Sequence, residues 1–286
     1  MTPEYQKQIL TNAPALVSKK TQYVTTGNDL DAMLSTALYM HYNPHAIVTG
    51  IYGNFSWFLG DVYDHSLYLD LDMCKPNIQS LGHHIRMEYN NSNPNAMQHN
   101  VTVTPSTAIS HKYPFSTAHI LYDLYNTRSV NQLALSSLVW MCDSAICNYV
   151  NYNQNCSFWL HDMFEPASVI HLPSYEPQYT SGICQDVLTR NNIPFITAPN
   201  HALKLTGLTQ EVNYNELIYK VACAAGIYVD TNNLRIDNTK IETLKRNSIS
   251  TQNAITLETI NQHLSNPNII SYAIISSKTL NYTTRG

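Results

Sequence analysis

The stretch Tyr23-Val24-Thr25-Thr26-Gly27-Asn28-Asp29-Leu30-Asp31-Ala32-Met33-Leu34 decides the fold class. Its aromatic and β-branched head reads as a strand and Gly27-Asn28-Asp29 as a loop. From there Leu30, Met33, Leu34, Ala37 and Leu38 recur at the i, i+3, i+4, i+7, i+8 spacing of one helix face. Working outward, the apolar runs Ala46–Tyr52 and Ser66–Asp72 are short enough for strands. Ser116–Tyr125 reads as a helix capped by Ser116 or Thr117, and Leu133–Ala145 is an apolar segment with one acid, Asp143. Strands alternating with helices predict an α/β fold, a mostly parallel sheet with flanking helices.

A Pro-rich, aromatic stretch from Pro166 to Tyr179 interrupts the pattern, which resumes as a helix over Ile183–Asn192 and a strand over Ile193–Ala198. Beyond a soft boundary near 195–210 come a helix over Asn213–Ala225, a strand at Ile227–Asp230, a helix near Leu257–Leu264 and two strand-like runs in Ile269–Thr283. These predict a small α+β C-terminal cap that binds substrate, so the chain divides into residues 1–200 and 201–286.

Composition narrows the partners. The 286 residues carry 16 Lys+Arg and 20 Asp+Glu, a net charge of −4, and only 13% of the chain is charged, against about a quarter in ordinary domains. With 44% hydrophobic residues and a mean hydropathy of −0.23 the chain can bury a sizeable core. No basic run exceeds Lys19-Lys20 or Lys245-Arg246, which argues against a protein that grips long duplex nucleic acid but permits a small anionic substrate. No apolar stretch approaches about 18–20 residues, and MTPEYQKQIL lacks the apolar core of a signal peptide. The expectation is a cytoplasmic protein without membrane contact. The six cysteines form no C-x-x-C pair, so free thiols are expected, and neither glycine-rich phosphate-loop pattern is present.

Scarce charge makes each acid informative. Asp29-Leu30-Asp31, Asp70-Leu71-Asp72, His83-His84 and Asp143 fall at the ends of predicted strands or in apolar segments. In an open parallel sheet, side chains from several strand ends converge on one ligand site, and residues i and i+2 of an extended segment point the same way. Crowded carboxylates repel unless a cation neutralises them, and a set of Asp and His suits Mn²⁺, Mg²⁺ or Fe. Each grouping also has a structural reading. Asp29 can cap a helix, Asp70 and Asp72 can be solvated, His83-His84 can lie in a turn, and Asp143 can be a hydrogen-bonded core acid.

In this order the motifs resemble those of the DHH phosphoesterase superfamily: Asn28-Asp29-Leu30-Asp31-Ala32, Asp70-Leu71-Asp72, Ser80-Leu81-Gly82-His83-His84-Ile85 and Met141-Cys142-Asp143-Ser144. The resemblance spans roughly residues 20–150. It implies a DHH-like domain over residues 1–200 and two Mn²⁺ ions, with Mg²⁺ as the alternative. The ligands would be Asp29, Asp31, Asp70 or Asp72, His83 and Asp143. The chain departs from the family where a His opens the first motif, which here falls at Thr25 or Gly27, and at Gly82, which replaces the Asp of Asp-His-His. The glycine-rich, His-containing C-terminal signature of many relatives is also missing.

The resemblance further implies a phosphodiesterase that hydrolyses a small nucleotide with metal-activated water. Its substrate would be a cyclic nucleotide or dinucleotide, or a short single-stranded oligonucleotide. His84 would contact phosphate or act as an acid, and Arg86 could reach a non-bridging oxygen. His99, His111 and Lys112 are further candidates for binding substrate. The 20 tyrosines offer stacking surface, and a homo-oligomer is compatible with this reading. The alternative is a degenerate relative that binds a nucleotide or a protein partner without hydrolysis.

Overall fold

The computed structural model describes residues 1–53, 55–73, 78–83, 113–125, 132–163, 177–264, 268–276 and 278–285. His84, Arg86, His99, His111 and Lys112 lie outside the described residues.

Helix α1 (Pro3–Asn12), with Pro in its first turn, leads to β1 (Gln22–Thr26), α2 (Leu30–Tyr42), β2 (Ala46–Gly53), β3 (Trp57–Gly60), β4 (Leu67–Leu69) and β5 (Gln79–Leu81). Next come α3 (Thr117–Leu124), α4 (Gln132–Met141), α5 (Ala145–Asn151), α6 (Asn153–Met163) and α7 (Pro177–Arg190). The chain then runs through β6 (Phe195–Thr197), β7 (Leu203–Leu205), α8 (Tyr214–Ala225), β8 (Ile241–Thr243), β9 (Lys245–Ser250), α9 (Leu257–Leu264), β10 (Ile269–Ser276) and β11 (Thr279–Thr284).

The central sheet has the order β5-β4-β1-β2-β3-β8. Strands β5, β4, β1 and β2 are parallel, with Val24 opposite Val48 on one side and Leu67 on the other, whereas β3 and β8 extend the sheet antiparallel. The fold is therefore mixed α/β with a mostly parallel central sheet and flanking helices. Parallel strands must be covered on both faces, and α2 shows the consequence, since every residue from Leu30 to Met40 is buried. It packs against α3 and α8. Each fully buried Leu or Met there contributes about 1.5–3 kcal/mol.

The packing continues across position 200. Helix α8 shares the main core with α2, and β8 hydrogen-bonds to the β3 edge. Gly60 brings that edge together: its backbone lies in the left-handed region at φ +84, and a Cβ there would stand 2.1 Å from the Thr49 carbonyl oxygen. The antiparallel sheet β10-β11-β9 begins only at Lys245. It docks on β2 through Tyr52, whose hydroxyl lies 2.6 Å from both Ser271 Oγ and Thr283 Oγ1. A second apolar cluster, including Tyr52, Phe58, Leu71 and Ile270, fills that junction.

Two expected elements differ. Ile227–Asp230 does not form a strand. Gly226 ends α8 in a left-handed cap, Ile227 and Val229 bury their side chains, and Asp230 accepts from the Asn232 N–H to start a 3₁₀ turn, leaving no ladder partner. The expected segment Leu133–Ala145 breaks at Asp143, where φ is 46° and ψ 25°.

Candidate metal centre

The carboxyl ends of β1 and β4 and the entry to α3 meet at one point. After β1 the Gly27 N–H donates to the Leu69 carbonyl at 3.3 Å, and a Cβ at Gly27 would lie 3.0 Å from that of Ala32. Asp29 then caps α2 by accepting the Ala32 N–H at 2.9 Å, and remains exposed. Two positions on, Asp31 is buried in the first helical turn. Its Oδ2 accepts the Thr117 N–H at 2.8 Å, and its Oδ1 accepts the Ala118 N–H at 2.7 Å and the Ser35 hydroxyl at 3.2 Å. Two of the otherwise unpaired N–H groups that open α3 are thus spent on one carboxylate, and the next, from His119, on the Ser116 cap.

Asp70 follows β4 in the left-handed region, φ 54°, with its N–H bonded to the Leu81 carbonyl at 2.7 Å. Its Oδ1 accepts the Thr117 hydroxyl at 2.8 Å. Asp143 is also left-handed, at the kink between α4 and α5. Asp tolerates that region better than most residues, and in both places the turn brings the carboxylate to His83. The imidazole Nε2 lies 2.6 Å from Asp143 Oδ2, 3.6 Å from Asp31 Oδ2 and 3.6 Å from Asp70 Oδ1.

The electrostatics are adverse without a cation. Burial pushes the Asp31 carboxyl well above the usual range, Asp143 and Asp29 raise it further, and the Ala118 and Thr117 N–H groups oppose the shift. Asp70 is raised in the same way by burial and then by Asp31, Asp29 and Asp143, against the Thr117 hydroxyl. A divalent cation would reverse this, favouring the ionised forms.

The donor set fits such an ion. Ligand atoms of Asp31, His83 and Asp143 all lie within 4.8 Å of one another, as expected of groups that each sit about 2.0–2.2 Å from a shared centre. Carboxylate oxygens with one imidazole suit Mn²⁺, Mg²⁺ or a similar hard cation.

The sequence candidates therefore separate. Asp31, Asp70, His83 and Asp143 converge, whereas Asp29 stands at the edge of the cleft as a helix cap. Asp72 is buried elsewhere, over Gly82, where an added Cβ would lie 2.5 Å from its Oδ1. The same-side rule for i and i+2 does not hold in either pair, because Asp29 and Asp31 belong to a helix start and Asp70 has a left-handed backbone.

The centre opens into a cleft of about 710 Å³, within the range of small-ligand sites. Its walls include residues that sequence reasoning missed: Lys204 on β7, Arg246 on β9, Asn281 on β11 and Phe55 at the β2–β3 turn. Thr117 was also missed as a carboxylate partner, although Ser116-Thr117 was visible as a helix start. Strand β7 is only three residues long, and β9 is largely solvent-facing with a single apolar residue, too little sequence pattern to mark either cation as part of a site. Among the described residues no helix is long and apolar enough to cross a membrane. Comparison with protein-family models, with curated proteins and with solved structures returns no match for this chain.

Proposed function

We propose that this protein is a phosphodiesterase dependent on divalent cations, Mn²⁺ or Mg²⁺, that hydrolyses a small nucleotide: a cyclic nucleotide or dinucleotide, or a short single-stranded oligonucleotide. The observation that carries this reading is the convergence of Asp31, Asp70 and Asp143 on His83 Nε2 at the carboxyl ends of parallel strands. Divalent ions held by Asp31, Asp70, His83 and Asp143 would supply Lewis acidity toward phosphate and would make bound water acidic enough to deprotonate near neutral pH.

The chain's own residues do the rest. Asp31, Asp70, His83 and Asp143 hold the cation side of the cleft. Thr117 orients two of them at once, its N–H on Asp31 and its hydroxyl on Asp70. Such supporting contacts keep ligand geometry within the tolerance that metal chemistry needs. The cleft volume suits a nucleotide better than a bare phosphate.

A second reading has its own observation. The resemblance places a His at Thr25 or Gly27; Gly27 offers no side chain, and its Cβ position lies 3.8 Å from Asp70 Oδ2. With a ligand lost there, a protein that binds nucleotide without hydrolysis is the alternative. Elemental analysis of protein dialysed against Mn²⁺, followed by hydrolysis of bis-p-nitrophenyl phosphate in Mn²⁺ and in EDTA, separates the two. Metal-dependent turnover is the expected result; bound metal without turnover favours the second reading, and absence of metal at millimolar Mn²⁺ overturns the first.

A further inference from the structure

Away from the cleft, the central sheet ends at β8, and that edge is open. The Gly60 N–H donates to the Lys240 carbonyl at 2.8 Å and the Leu244 N–H to the Ser56 carbonyl at 2.7 Å, with Phe58 opposite Glu242 between them. In an antiparallel ladder every second residue bonds to the same neighbour. Lys240, Glu242 and Leu244 therefore bond to β3, and the N–H and C=O groups of Ile241 and Thr243 point away from it. Among the described residues no strand pairs with that outer side. All of β8 is exposed, Ile241 to 48%.

The edge is also held ready. In the turn before it, the Thr239 N–H and hydroxyl donate to Asp237 Oδ1 at 3.0 and 2.7 Å, and the Lys240 N–H donates to the Asp237 carbonyl at 3.1 Å. Lys240 Nζ reaches Asp61 Oδ1 at 2.7 Å, and Arg285 Nε reaches Glu242 Oε1 at 3.0 Å. Side chains alternate along a strand, so Lys240 and Glu242 share one face and Ile241 stands on the other. An unprotected edge of this kind is a template for another strand.

Its sequence selects which strand. Outward-facing residues must meet outward-facing residues, so pairing with a second copy about a two-fold axis places one residue of β8 opposite itself. Centred on Glu242, that carboxylate would face its own copy; centred on Thr243, Lys240 would face Arg246. Leu244 is only 5% exposed, where the strand turns into its own apolar cluster. Centred on Ile241, the isoleucine meets its copy and Lys240 meets Glu242 on both sides of the axis. Opposed like charges destabilise a strand pair, whereas opposite charges and apolar pairs strengthen it. The outward N–H and C=O of Ile241 would then bond to those of its copy. We infer that β8 is an interface for a second copy of this chain, paired antiparallel about a two-fold axis at Ile241 and joining the two central sheets. The dimer is independent of the phosphodiesterase reading, since β8 holds no residue of the cleft.

Sedimentation velocity of the purified full chain between about 1 and about 200 µM tests this, because so short an interface falls in the weak, micromolar class. A reversible monomer–dimer equilibrium is expected. Ile241→Pro removes an N–H that β3 does not use, so the fold should melt like the wild type, while dimer affinity should fall at least about tenfold with both central hydrogen bonds lost. Glu242→Lys, which sets lysine against Lys240, should weaken the dimer as well. Adding Lys240→Glu to Glu242→Lys restores opposite charges across the axis and should bring affinity back to within about threefold of wild type. A monomer at every concentration, a dimer indifferent to Ile241→Pro, assembly beyond the dimer, or a charge swap that fails to recover association would overturn the interface.

Discussion

The two walls of the cleft are built on opposite principles. On the side of the parallel strands, Asp31 and Asp70 are buried and held by N–H and hydroxyl donors from α3, and their ionised forms are disfavoured by burial and by neighbouring carboxylates, Asp143 and Asp29 for both. On the side of the antiparallel sheet, Arg246 is exposed and rests on an aromatic ring. Buried like charges are tolerable only where a counter-ion is to be supplied, whereas an exposed cation costs the fold little and waits for a ligand. On the proposed reading, the first wall would hold the metal and the second would meet the ligand.

The comparison breaks most visibly at the carboxylates. Asp143→Ala should lower kcat/KM for bis-p-nitrophenyl phosphate at saturating Mn²⁺ by at least about 10³-fold, the several kcal/mol that metal stabilisation supplies, while far-ultraviolet dichroism stays native. Unchanged turnover would remove Asp143 from the centre. Next in size is Gly82→Ala. The new Cβ would meet the Asp72 carboxylate at 2.5 Å, so a loss of about 1–3 kcal/mol in denaturant unfolding is expected, with weaker metal binding at the adjoining His83. Neutral stability would mean that Asp72 moves aside freely.

Tyr52→Phe probes the join between the walls. It removes one hydroxyl and leaves Ser271 and Thr283 to find other partners, at about 1–3 kcal/mol. Denaturant unfolding should show that loss; unchanged stability would mean that the junction does not rest on this hydroxyl. A further effect, spread over two pH units, concerns the apolar packing behind α3. Burial holds the His119 imidazole down at about 3, against Phe115 and Trp140, with Tyr113 OH 2.9 Å from Nδ1. Because the unfolded chain binds that proton near pH 6.5 and the folded one does not, stability is present above pH 6.5 and falls as pH drops toward 3, by about 1.4 kcal/mol per unit. Urea titrations between pH 6.5 and 4.5 should show this slope reduced in His119→Phe; an identical slope would contradict it.

What could be read from sequence follows the periodic signals. The strand–loop–helix at residues 22–42, the Ser116 cap, and the helices at 214–225 and 257–264 are found close to where their spacing put them. The Asp29 cap and the buried Asp31 were both visible as residues, but which of them faced the site depended on helix phase and on the N–H groups of a segment some 86 positions away. Asp70 and Asp143 required left-handed backbones that no local pattern announces. The exposed strands β8 and β9 carry no apolar–polar alternation in sequence, so neither the antiparallel extension of the sheet nor the Arg246–Phe55 stack could be anticipated. Those features are set by long-range pairing, which a single sequence encodes only weakly.

The central claim, that the carboxylate wall is made for a cation, is tested most directly by calorimetric titration of the EDTA-stripped full chain with Mn²⁺ at pH 7.5 and pH 5. Below the raised folded values of Asp31 and Asp70 these carboxyls keep their protons, so metal must displace them. The account predicts saturable binding at pH 7.5 that weakens at pH 5 and is lost or greatly reduced in Asp143→Ala. No binding at millimolar Mn²⁺, or binding indifferent to that substitution, would contradict it.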